Sequence, residues 1–161
     1  MTAAVTERGQ GQSTLRIRPA QRDDAPNLHS MMQALARHEG SGAALRIDLR
    51  ALQRDGFGPR PRFHALLAEV DGVPVGYLSY TICYSVWSGY TIVAIDDLYV
   101  EQAHRGCGAG RRLMEEARAA CIRDGHGFLR WTVELDNPRA IAFYDRLGAR
   151  LRGKGVCTWV P

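Results

Sequence analysis

From Thr14 to Pro19 apolar and polar residues alternate, with Leu15 and Ile17 set between Thr14, Arg16 and Arg18. A period of two predicts a short strand, and the proline stops it. Asp23 and Asp24 then lead into Pro26, a capping acid followed by a first-turn proline, which starts a helix. Leu28, Met31, Met32 and Leu35 recur at helical spacing before Gly40, so the methionines read as core. Residues 45–52 predict a second, short helix, and Gly56 to Pro61 breaks regular structure. Residues 63–70 form a strand, Asp71–Gly72 is a hairpin turn, and residues 73–82 return as its second arm. Trp87 to Gly89 turns the chain again, and Tyr90 to Ile95 runs as a third strand into Asp96, Asp97, Leu98, Tyr99 and Val100.

The pattern then changes. Gly106, Gly108 and Gly110 stand at alternate positions and open a helix whose buried stripe is Leu113, Ala117, Ala120 and Cys121, ending at Gly125 or Gly127. Residues 128–135 predict a further strand. Asn137 caps a helix with Pro138 in its first turn, carrying Ile141, Ala142, Tyr144 and Leu147 and closing at Gly148. A last strand or two fills residues 149–160. The order is strand, helices, three strands, helix, strand, helix, strand, a mixed α/β class. Residues 1–13 are small and polar, an expected mobile tail before a single domain over 14–161.

Composition narrows the function classes. A chain of 161 residues suits one domain with a real core, and 45% hydrophobic with 24% charged residues is ordinary for a soluble protein. The formal charge of +4 suits an anionic ligand, but arginines alternate with acids, so nucleic acid is not the expected partner. Cys83, Cys107, Cys121 and Cys157 lack any CysXaaXaaCys spacing, so neither zinc nor a redox pair is suggested and no metal is expected. No signal-type apolar segment opens the chain and no stretch is long enough for a membrane span, which predicts a cytoplasmic protein without membrane contact.

The glycine stretch could cradle an anion. Glycines let backbone approach a ligand closely, the first N–H groups of a helix are free, and the helix dipole adds about half a positive charge beside Arg105, Arg111 and Arg112. The alternative is a glycine-rich turn before a surface helix. There is no Walker A lysine and no dinucleotide-type acid. Asp96 and Asp97 interrupt an apolar strand, where consecutive side chains face opposite ways, so only a bulge would bring both to one cleft. A carboxylate there would attract a cationic amine and could take its proton. Tyr144 is either core or an acid for a departing thiolate.

The stretch Val100 to Gly110 resembles the acetyl-CoA signature of the GNAT acetyltransferase superfamily, ArgXaaXaaGlyXaaGly, with Arg105, Gly108 and Gly110 in the defining places. Asn137 to Ala149 is similar to that family's helix with an asparagine near the pantetheine and a tyrosine near the thiol. The likeness spans about residues 14–160 and implies a GNAT fold, a mixed central sheet of six to seven strands flanked by about four helices. More narrowly, Tyr84 to Gly89 and Ile95 to Val100 resemble the diamine, spermidine and thialysine acetyltransferase branch, with Asp96 where that branch has glutamate.

The resemblance implies acetyl-CoA as co-substrate and direct transfer to a primary amine of a small cationic molecule in a ternary complex. Backbone of Arg105, Gly106, Cys107, Gly108, Ala109, Gly110 and Arg111 would hold the pyrophosphate, with Leu98, Tyr99, Val100 and Asn137 along the pantetheine. Asp96, Asp97, Trp87 and Glu39 would meet the amine. Asp96 or a water would take its proton, an N–H near Leu98 would face the oxyanion, and Tyr144 would protonate the thiolate. A homodimer is also implied. The rivals are another amine, such as an amino acid, an antibiotic or a protein lysine or N-terminus, and a CoA-binding sensor without turnover.

Overall fold

The structure, a computed structural model, describes residues 13–40, 42 and 45–159; all but Ser13 of the expected N-terminal tail lies outside them. Five strands form one sheet in the order β1-β2-β3-β4-β5: β1 Leu15–Pro19, β2 His64–Val70, β3 Val73–Ser85, β4 Tyr90–Val100 and β5 Leu129–Arg130. The first four are antiparallel neighbours, and β5 lies parallel to β4 through two residue pairs, Val93–Leu129 and Ala94–Arg130. Parallel neighbours need a crossover, here α3 Ala109–Arg123.

Helices cover both faces. On one, α1 Ala25–His38 and α2 Leu49–Phe57 cover a core of Ala25, Leu28, Met31, Leu52, Ala65, Leu67 and Tyr77. On the other, α3 buries the predicted stripe Leu113, Ala117, Ala120 and Cys121 against Leu66, Val75, Leu78, Val93 and Ile95. Phe143, Tyr144 and Leu147 of α4 Pro138–Arg146 pack on that second core. The β2–β3 hairpin turns at Asp71 and Gly72, both at positive φ, as an Asp-Gly turn requires. A triad ties β1 to β2: the Arg18 guanidinium donates to Asp24 at 2.6 and 2.8 Å and to Glu69 Oε1 at 2.6 and 2.9 Å.

Three sequence expectations are corrected. The second helix starts at Leu49 rather than residue 45, because Asp48 accepts from Ala51 N at 2.7 Å and caps it there, and it runs on through Gly56. The strand expected over 128–135 is only Leu129–Arg130. Past Ala94 it has no β4 partner, and an extended segment without a ladder is not a strand. No strand is present among described residues 149–159, where Leu151, Val156 and Trp159 are exposed, so the sheet has five strands rather than six to seven. The four helices are as expected.

Candidate active site

β4 holds the centre of the site, and its irregularity is what builds it. Ser79 pairs with Asp97 and Tyr80 with Ile95, so Asp96 is the extra residue of a β-bulge. Ile95 and Leu98, on either side, both pack on the α3 face, while Tyr99 packs on the α1–α2 face. The two aspartates between them therefore fall together on the α1–α2 face. A bulge bends and twists its strand, and β5 leaves β4 two residues earlier, at Ala94. From Ile95 to Val100, β4 has no strand along its outer edge among the described residues.

The two carboxylates have different surroundings. Asp97 Oδ2 accepts from Tyr77 Oη at 3.2 Å and from Ser79 Oγ at 3.1 Å. Asp96 reaches solvent, yet the protein around it strips hydration, and this, followed by the charge of Asp97, raises its carboxyl above the usual aspartate range. Burial, then the charge and hydrogen bond of Asp97, push the Tyr77 phenol far above the ordinary range; the charge of Glu39, at the end of α1, adds to this. Glu39 thus lies within electrostatic reach of the same face. Trp87 does not join them. It stands fully exposed at the β3–β4 turn, roughly 20 Å along the strand from Asp96 at about 3.4 Å per residue.

The glycine loop lies beyond the end of β4. Gly106 and Gly108 have φ of +92° and +90°, a left-handed conformation that favours glycine, and a Cβ at either would meet nothing within 4 Å. Gly108 caps α3 without a side chain, and the first helical bond is Arg112 N to Gly108 O at 3.0 Å, so the preceding N–H groups of α3 are free of it. Open space above left-handed glycines at a helix start fits a pyrophosphate-bearing group. Arg105 N donates to Gln102 O and its Nε to Val100 O, and Arg112 donates to Leu15 O. Arg111 makes only a loose pair with Glu115 at 3.7 Å. Cys107 is exposed in the loop.

Asn137 Oδ1 accepts from Ala140 N at 3.0 Å and caps α4. That helix carries Tyr144, whose ring lies 5.1 Å from Trp131 and 5.2 Å from Phe143. Phe143 in turn is 3.6 Å from where a Cβ on Gly110 would be, so α4 abuts the start of α3. Burial raises the Tyr144 phenol, which keeps it protonated at neutral pH. Sequence reasoning missed Tyr77, Ser79 and Trp131. The only signal was two hydroxyl residues two apart on the strand that pairs with Asp97.

A left-handed glycine turn at a helix start, an unpaired strand edge beside it and a half-buried phenol on the same face suit an acyl-transfer class of α/β enzyme. The chain belongs to the acetyltransferase (GNAT) family, whose profile matches residues 28–149, and it is an N-acetyltransferase. It is 34% identical over 142 residues to the thialysine N-epsilon-acetyltransferase of Sus scrofa, covering 83% of each chain. It is 30% identical over 140 residues to the human spermidine/spermine N(1)-acetyltransferase-like protein 1, covering 83% of this chain and 20% of that one. An aminoglycoside acetyltransferase from an uncultured soil metagenomic sample, solved with trehalose, superposes with a TM-score of 0.77 at 17% identity, over 91% of this chain and 95% of that one. At that identity the likeness is one of fold.

Proposed function

We propose that the chain acetylates a primary amine of a small cationic molecule, a diamine, polyamine or lysine-like compound, with acetyl-CoA in a ternary complex. The observation that carries this reading is the bulge that sets Asp96 and Asp97 side by side. Among the described residues no Arg, Lys or His forms an ion pair with either, or with Glu39. Three carboxylates without a protein cation suit a ligand that brings its own. The relatives named for thialysine and for spermidine/spermine support the same amine class.

Acetyl-CoA, when bound, supplies the acetyl thioester. The free N–H groups from Gly106 to Arg111 hold its pyrophosphate, with Arg111 the nearby cation, and the Leu98–Val100 edge and Asn137 line the pantetheine. Asp97 holds a second, non-reacting ammonium of the acceptor, and Asp96, directly or through a water, takes the proton that must leave the reacting one before its nitrogen can attack. A carboxyl raised above its usual range is better matched to that task than an ordinary aspartate. Tyr144 Oη returns a proton to the leaving sulfur.

A cytoplasmic homodimer fits this reading. All four cysteines are free thiols, and Tyr84, Val86 and Trp87 expose apolar surface at the β3–β4 turn that a second copy would cover. The test of function is a panel of spermidine, putrescine, thialysine, free lysine, an aminoglycoside and an N-terminal peptide, each with acetyl-CoA, read by thiol release. The cationic diamines and lysine-like compounds should lead. A leading aminoglycoside or peptide would overturn the amine class, and CoA binding without turnover of any amine would favour a sensor.

A further inference from the structure

Two hydroxyls on β3 take no part in the mechanism above, yet both point at its acidic pair. Tyr77 is fully buried and Ser79 is 5% exposed, so bulk water cannot satisfy either. Both donate to one oxygen, Asp97 Oδ2, at 3.2 and 3.1 Å. The register explains why: Ser79 lies directly across from Asp97, and Tyr77, two residues away and opposite Tyr99, reaches it on the diagonal. Asp97 Oδ1 receives no donor among the described residues. Asp96 neighbours this carboxylate on its own strand and Tyr77 and Ser79 donate to it from β3, while Tyr99 and Glu39, at the end of α1, lie within electrostatic reach of Tyr77. All are acids or hydroxyls.

We propose that Tyr77 and Ser79 are positioning residues of the acceptor site, whose hydroxyls hold Asp97 by Oδ2 as the fixed ammonium anchor and leave Asp96, on the bulge, to move the proton. The two hydroxyl donors fix the rotamer of the carboxylate before the amine arrives, which removes an ordering cost from binding. Oδ1 is then free to accept from the ammonium. Burial and the neighbouring charge keep the Tyr77 phenol protonated, so it stays a donor and never becomes a rival anion. This division of labour rests on the cationic-amine reading.

The test compares 1,5-diaminopentane with 5-aminopentan-1-ol, which lacks the second cation, by calorimetric binding in the presence of CoA. Wild-type protein should prefer the diamine. Tyr77→Phe and Ser79→Ala should each cut that preference about fivefold, the scale of one hydrogen bond, with CoA affinity unchanged, and Ser79→Thr should restore it. Should Tyr77→Phe fail to fold, the Ala and Thr variants at position 79 decide alone. An undiminished preference in the variants, or an equal loss for both amines, overturns the positioning role. A wild-type protein that binds both amines equally overturns the cationic-amine reading instead.

Discussion

Replacing Tyr144 by phenylalanine isolates one oxygen. Its ring packs at 5.1 Å from Trp131 and 5.2 Å from Phe143, and among the described residues nothing hydrogen-bonds its hydroxyl. Tyr144→Phe therefore keeps the packing and loses no internal bond, and stability should change by less than about 0.5 kcal/mol. Tyr144→Ala is different. A fully buried aromatic costs about 3–5 kcal/mol, so a half-buried one costs about 2, which is a melting shift of about 4–8 °C for a chain of this size. On turnover, a positioned general acid contributes about 10²–10⁴-fold, or about 3–5 kcal/mol of barrier. The expected signature of Tyr144→Phe is a kcat lower by that factor, an unchanged KM for acetyl-CoA and an unchanged melting curve. Steady-state thiol release at saturating amine, with acetyl-CoA varied, measures the first two. Turnover within threefold of wild type refutes the acid role. A KM for acetyl-CoA that rises in step with the loss makes the hydroxyl a binding contact.

Three further outcomes follow from named contacts. The charge of Asp97 helps raise the Asp96 carboxyl, so Asp97→Asn should lower it and move the acid limb of the kcat/KM profile to lower pH; an unmoved limb separates the two groups. Gly108→Ala forces an L side chain to φ +90° in open space, so its cost is conformational, about 1–2 kcal/mol, with a raised KM for acetyl-CoA. Gly72→Ala, at φ +82° and equally open, should match the melting loss with no change in KM, and a KM change there would remove the cradle argument. The hydrogen bond from Arg18 holds the Asp24 carboxyl below its ordinary 3.8, so its stabilisation is present above that value and is lost as pH falls through the lowered one. Asp24→Asn should cost about 1–2 kcal/mol at neutral pH, since Arg18 keeps its bonds to Glu69, and flatten the acid side of the stability profile, read by denaturant melts.

What the pattern of residues revealed depended on the range of the physics. The Asp71–Gly72 hairpin and the α3 stripe are local, each decided within a few residues, and both stand in the structure as read. The lengths of β5 and of the C-terminal segment depend on a hydrogen-bonding partner, which residues 128–135 and 149–160 cannot announce by themselves. The pairing of Asp96 with Asp97 was legible only as a condition, that a bulge re-aim one of them, because register is a property of two strands. Tyr77 and Ser79 were invisible for the same reason. Within β3 they read as ordinary strand residues, and only the register with β4 turns them toward a carboxylate. Trp87 shows the converse: a motif position expected at the amine lies on the exposed turn.

In the proposed reaction the bulge would let two substrates meet without sharing a face. Leu98 and Val100 pack with α3, as do Phe143 and Tyr144, so the glycine cradle, the strand edge and the phenol belong to one side of the sheet. Asp97 and Tyr99 belong to the other, with Tyr77 and the end of α1. A closed sheet would keep these sides apart. Here β5 pairs only with Val93 and Ala94, and the bulge follows at Asp96, so the ladder ends beside the acidic pair. A donor lying along the free edge from the α3 side and an amine held from the α1–α2 side then have the Asp96–Leu98 segment between them as common wall. Removing the bulge by deleting Asp96 should restore alternation, with Ile95 on the α3 face and Asp97 left alone opposite Ser79 on the α1–α2 face. Amine turnover should be lost while acetyl-CoA still binds, and a deletion variant that keeps both would show that the site does not depend on the bulge.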